Sequence, residues 1–136
     1  MKAKPSLKAV LDASALLAYL QGEKGSEAVE AVLDHAAIST VNLAEVLTVA
    51  LMKRGEAPTV LRPQLLALGI QPFEFTVEDA DEAAALWSKT KVQGLALGDR
   101  ACLALGKRLR AKVLTAEKQK DWRKLGLKGV QVVLIR

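Results

Sequence analysis

Cysteine and histidine occur once each in this 136-residue sequence, and aromatic side chains make up only 4% of it. The single cysteine, Cys102, excludes an intramolecular disulfide and any metal cluster built from thiolates. It lies in an apolar stretch and reads as a small core residue. The single histidine, His35, stands in no metal-ligand spacing, which excludes a histidine-based mechanism; it reads as a surface or turn residue. With so few rings, the core must be built mainly from Leu, Val and Ala. Trp87 and Trp122 read as packing residues, although Trp122 lies in a basic segment where base stacking is open to it. No G-x-x-x-x-G-K-[ST], G-x-G-x-x-G or G-x-S-x-G occurs, which argues against P-loop, dinucleotide-binding and α/β-hydrolase functions. No apolar run is long enough to span a bilayer. The opening stretch to Leu20 has the outline of a signal peptide, but Asp12 breaks it and no small-residue cleavage site follows, so a cytoplasmic protein is expected.

What is present is 51% hydrophobic and 26% charged, the balance of a globular chain, and the length suits one domain over residues 1–136. The net charge is +5, unevenly spread: residues 107–136 carry ten Lys and Arg against two acids, Glu117 and Asp121. Such a face suits a polyanion, with nucleic acid the leading candidate. Lys118, Lys120 and Arg123 are its candidate phosphate contacts, and Arg100, beside Asp99, reads as a further phosphate contact, as the ion-pair partner of that acid or as a solvated side chain.

Short β-rich runs alternate with helical stretches. Lys8–Asp12, Ala36–Ser39, Ile70–Phe75, Lys112–Thr115 and Val130–Ile135 read as strands, with Pro72 marking an edge or an irregular segment. Helices are expected over Ala13–Leu20, Ser26–Asp34 with Ser26 as N-cap, Val41–Lys53, Pro58–Leu68, Val77–Lys89, Asp99–Leu109 and Asp121–Leu125, and a loop over Val92–Gly98. Val41–Lys53 is apolar enough to be buried on most sides. This alternation implies an α/β fold, a mainly parallel sheet with helices on both faces. Ligands of such sheets bind beyond the carboxyl ends of the strands, where the strand order reverses.

Three acids interrupt apolar sequence. Asp12 is the only charge from Ala9 to Gly22, Glu45 the only charge from Ala36 to Met52, and Asp99 lies between two charge-free runs with Arg100 beside it. Carboxylates in apolar surroundings need a partner or a metal, and converging carboxylates favour a hard cation such as Mg²⁺. Asp12 could instead be a plain N-cap, Glu45 a buried acid paired with a base, and Asp99 a cap. Ser14 is placed to hydrogen-bond a carboxylate, and Asn42 and Thr48 share a helix face with Glu45. Glu117, two residues past the strand ending at Thr115, is a fourth candidate, with Asp121 four residues on as its rival.

The segments VLDASALLAYL, STVNLAEVLTVALMKRG, LALGDRACLALGKRL and VLTAE, in this order, resemble the PIN-domain ribonucleases, and more narrowly VapC-type toxins of toxin–antitoxin pairs. The resemblance implies a Rossmann-like α/β/α sandwich and an Mg²⁺- or Mn²⁺-dependent endoribonuclease. It implies an acidic site of Asp12, Glu45, Asp99 and Glu117, with Ser14, Asn42 and Thr115 as supporting polar residues. The family more often has Asp at the fourth position, soon followed by an aromatic; here Glu117 and the later Trp122 keep Asp121 in contention. The resemblance also implies an RNA substrate, a cognate antitoxin and a homodimer.

Two rivals fit less well. A phosphatase of the haloacid-dehalogenase type would want a second Asp where Ser14 stands. A PIN-like module that binds RNA or protein without cleaving it is favoured only by the altered fourth position.

Overall fold

The computed structural model describes residues 7–118 and 122–136. Five strands form one parallel sheet: β1 Ala9–Leu11, β2 Ala36–Ser39, β3 Gln71–Phe73, β4 Lys112–Thr115 and β5 Val132–Leu134, in the order β3-β2-β1-β4-β5. The helices are α1 Ala13–Leu20, α2 Ser26–Glu30, α3 Thr40–Arg54, α4 Pro58–Ala67, α5 Val77–Ala85, α6 Trp87–Thr90 and α7 Leu97–Leu109. The α/β fold and parallel sheet expected from the sequence are therefore present.

Both faces of the sheet are covered, and the period-two alternation of β1 shows how. Ala9 and Leu11 face one cluster, with Leu16, Val29, Val46, Leu61 and Leu65 from α1 to α4. Val10 faces the other, with Cys102, Leu103 and Leu105 of α7 and with Leu86 and Trp122. A strand buried on both faces has no polar side to show, which is why AVL reads as a plain apolar run. Trp122 and Cys102 are thus core residues, and full burial pushes the Cys102 thiol well above its ordinary pKa. Among the described residues no helix is long and apolar enough to cross a membrane.

Several element boundaries differ from those expected. Helix α2 stops at Glu30, a 3-10 turn covers Leu33–His35, and Gly25 rather than Ser26 is the cap. Gly25 adopts φ +97°, and a Cβ there would lie 2.7 Å from the Ile135 carbonyl oxygen, so only glycine fits. The stretch Val77–Lys89 breaks after Ala85, where the Leu86 carbonyl accepts from both the N–H and the hydroxyl of Thr90. Helix α7 starts at Leu97, shortening the expected loop, because Asp99 reaches back to the Ala96 N–H (2.9 Å). The last strand is confined to Val132–Leu134, and the short helix after residue 120 is a 3-10 turn over Trp122–Leu125.

Helix α3 corrects a larger expectation. Only Asn42, Leu43, Val46 and Ala50 are buried, while Leu51 and Met52 are exposed. One face packs on the sheet and the other meets solvent, so Glu45 is exposed rather than buried. Helix α5 starts with a reciprocal cap: Thr76 accepts from the Asp79 N–H and Asp79 from the Thr76 N–H. Thr76→Ala should cost about 1 kcal/mol. A thermal melt in which the midpoint falls by several degrees checks this, and an unchanged midpoint would refute it.

Candidate functional site

The strand order reverses between β1 and β4, and the candidate site lies at their carboxyl ends. Asp12 follows Leu11 directly. Its N–H donates to the Leu114 carbonyl (3.1 Å), which fixes it beside Thr115 of β4. Its carboxyl Oδ1 accepts from the Ala15 N–H (2.7 Å) and the Ser14 hydroxyl (2.8 Å). Asp12 is therefore the N-cap of α1, as the plain reading allowed, but that does not exhaust it. The group is only 4% exposed, and burial raises its pKa from the ordinary 3.8 to about 6. Hydrogen bonds from Thr115, Ala15 and Ser14 oppose that rise, and the charge of Asp99 adds to it.

Ser14 and Thr115 knit the two strand ends together. Ser14 Oγ accepts from the Ala116 N–H (2.9 Å) and lies 3.3 Å from Thr115 Oγ1. Thr115 Oγ1 in turn accepts from the Glu117 N–H (3.0 Å), which turns the chain at Glu117 towards the site.

On the other side, α3 meets the first turn of α7. Asn42 is 1% exposed, and its Nδ2 donates to Glu45 Oε1 (2.8 Å) and to the Gly98 carbonyl (2.9 Å). Its buried Oδ1 has no hydrogen-bond partner among the described residues. Thr48, expected on the same polar stripe, is exposed, and its hydroxyl donates to the Ala44 carbonyl of its own helix (2.7 Å).

Asp12, Ser14, Asn42, Glu45, Asp99 and Glu117 line one cleft of about 240 Å³, whose apolar wall includes Leu17 and Val49. Four acids from distant parts of the chain thus share a cavity, three on separate strand ends or helices and one on the turn after β4. Among the described residues no three His, Cys, Asp or Glu side chains are gathered tightly enough to enclose an ion directly.

The basic residues divide. Lys118 lines an adjoining cleft of about 340 Å³ with Ser14, Ala116, Glu117 and Arg136. Arg123 lines a small depression with Glu117, Lys118 and Trp122. Arg100 is elsewhere: its guanidinium donates to the Ala83 carbonyl (2.8 Å) and ties α7 to α5. Lys120 and Asp121 lie outside the described residues. The sequence reading missed Val49, Gly98 and Arg136. Val49 stands four residues after Glu45, so helical spacing could have found it; nothing local marks the other two.

Residues 9–126 match the family model described as PIN domain. No curated protein sequence matches the chain. Solved structures do resemble it. A toxin–antitoxin complex from Klebsiella pneumoniae matches with TM-score 0.71 at 24% identity, covering 90% of this chain and 95% of that one. VapBC2 from Rickettsia felis, bound to a DNA fragment from its promoter, matches at 0.70 and 12% identity, covering 96% and 100%. FitAcB from Neisseria gonorrhoeae matches at 0.64 and 24% identity, covering 91% and 95%. At these identities the likeness is one of fold.

Proposed function

The chain belongs to the PIN-domain family, and from that premise we propose that it is a divalent-metal-dependent endoribonuclease, the toxin of a toxin–antitoxin pair acting in the cytoplasm. One observation carries the reading: Asp12, Glu45, Asp99 and Glu117 line a single cleft at the sheet's switch point, and one of them is buried at a desolvation cost that a cation would relieve.

The residues suit a hard cation. The donors are all oxygens, and the buried Asn42 Oδ1 is an acceptor awaiting a donor such as a bound water. Asp12, Glu45, Asp99 and Glu117 would hold Mg²⁺ or Mn²⁺, partly through water, in keeping with their spacing. When bound, the ion supplies charge neutralisation at the phosphodiester and acidifies water for attack on phosphorus. The chain's own work is orientation. Ser14, Thr115 and the Ala15 N–H fix the Asp12 carboxyl, and Asn42 fixes that of Glu45. Leu17 and Val49 wall the cleft with apolar surface.

Lys118, Arg123 and Arg136 flank Glu117, where they would hold backbone phosphates and give affinity that falls with salt but selects little sequence. Lys120 belongs to the same basic segment. The structural likeness to toxin–antitoxin complexes supports a cognate antitoxin as partner. That the antitoxin covers the acids, and that the chain pairs as a homodimer, are parts of the same proposal.

The looseness of the acid cluster, with Glu at position 117, favours a second reading: a module that binds RNA without cleaving it. Incubating a panel of structured RNAs with purified protein separates the two. Cleavage in Mg²⁺ or Mn²⁺, stopped by EDTA and lost in Asp12→Asn and Asp99→Asn, is the expected result. Retained RNA binding with no cleavage in any metal would establish the second reading. Equal cleavage by wild type and variants would expose a contaminating nuclease and remove the support for both acids.

A further inference from the structure

Gly98 is the second residue of α7, and its backbone gives no reason for a glycine. The residues with positive φ include seven glycines, and Gly98 is not among them. At an ordinary helical position alanine is favoured over glycine by roughly 0.5–1 kcal/mol. The space around Gly98 does give a reason. A Cβ there would stand 2.5 Å from Glu45 Oε1, 2.8 Å from Oε2 and 2.9 Å from Cδ. The Glu45 carboxylate occupies the volume that a side chain at 98 would take.

That carboxylate has not drifted there. Asn42 Nδ2 bridges Glu45 Oε1 and the Gly98 carbonyl, joining α3 to the first turn of α7. Both partners are acceptors, so the amide cannot turn over without setting its own oxygen against two others. Asn42 thus clamps the Glu45 carboxylate against α7, and the missing side chain of Gly98 lets the clamp close. The next residue is Asp99, which lines the same cleft.

We propose that Gly98 is a positioning residue: by lacking a side chain it seats the Glu45 carboxylate beside Asp99, in the geometry that the site needs to bind a divalent cation. The proposal rests on the metal-dependent reading above. An alanine at 98 would drive Glu45 from 2.5 Å to the 3.4 Å of ordinary contact. Glu45 is an exposed, flexible side chain, so the fold absorbs that shift readily. The cation site does not, because its supporting contacts set the direction of each ligand. The glycine therefore trades helix stability for the position of a carboxylate, and stability and metal affinity should move in opposite directions.

The test is titration calorimetry with Mn²⁺ on wild type, Gly98→Ala, Glu45→Ala and the double variant, with thermal melts of each in EDTA. Gly98→Ala should melt at or above wild type and bind Mn²⁺ about 10- to 100-fold more weakly. In the Glu45→Ala background the same change should alter affinity less than twofold, because the group through which it acts is gone. Unchanged Mn²⁺ affinity in Gly98→Ala would overturn the proposal while leaving the metal reading intact. A weakened affinity accompanied by a lowered melting point would also overturn it, by making Gly98 a folding residue. Wild type that binds no Mn²⁺ would remove the metal reading itself, and the proposal with it.

Discussion

Asp12→Asn is expected to abolish cleavage and to make the protein more stable. The loss follows from charge. A neutral amide cannot hold a cation as a carboxylate does, and forfeiting several kcal/mol of charge stabilisation corresponds to a fall of about 10³-fold or more. The gain follows from burial. Asp12 is 4% exposed and its pKa is raised from 3.8 to about 6, so ionising it in the fold costs about 3 kcal/mol relative to the unfolded chain. The amide keeps the oxygen that accepts from Ala15 and Ser14, and the Thr115 hydroxyl can turn to receive the new N–H.

The pH dependence has a fixed sign. Between about pH 4 and 6 the folded protein holds a proton on Asp12 that the unfolded chain has released, so wild-type stability falls as pH rises through this window and is level above it. Asp12→Asn has no such slope. The two proteins should therefore melt together near pH 3.5 and differ by about 10 °C at pH 7.5 in EDTA. Millimolar Mg²⁺ should narrow the gap by stabilising wild type alone. A variant that melts below wild type at neutral pH would show that Asp12 is structural, and the cation-relief argument would fail with it.

The sequence carried the sheet and the acids well, for a physical reason. A parallel strand buried on both faces must be apolar throughout, so a charge at its end is conspicuous, and Asp12 stood out for that reason. Glu45 stood out too, but its frame misled. The apolar run of α3 suggested burial on most sides, whereas Leu51 and Met52 face solvent and Glu45 is exposed. Apolar density along a helix does not say which face has a neighbour. Asp99 was expected to open its helix; it lies two residues in and caps from there, a difference made by a single back-bonded N–H. Arg100 illustrates the limit of charge counting. Adjacent to an acid in sequence, it points instead to the Ala83 carbonyl, because successive residues of a helix face different directions. Gly98 and Arg136 were illegible, since each matters through partners twenty or more residues away: Glu45 for one, the Ala116 carbonyl and Glu23 for the other.

Gly106 should respond in the opposite sense to Asp12. It sits inside α7, where glycine is ordinarily a weakness. Here it is a contact surface: a Cβ would lie 2.6 Å from Val113 Cγ2 on β4, 3.1 Å from Val130 Cγ2 and 3.2 Å from the Ala111 carbonyl oxygen. Val113 belongs to the core, Val130 packs against it, and the third neighbour is backbone, which cannot swing aside. Gly106→Val would place a branched side chain into that contact and force α7 off the sheet, at a cost of about 3 kcal/mol or more. The same helix carries Asp99 at its other end, so displacing it also displaces one wall of the acidic cleft. Urea unfolding should show a midpoint well below wild type, with cleavage lost in parallel, and Gly106→Ala should fall between the two because its helix preference offsets part of the clash. Midpoints equal to wild type would mean that α7 can lift from β4 freely. The close approach of helix to strand would then be incidental, and the acids would have to be held together by the Asn42 clamp and the Ser14–Thr115 contacts alone.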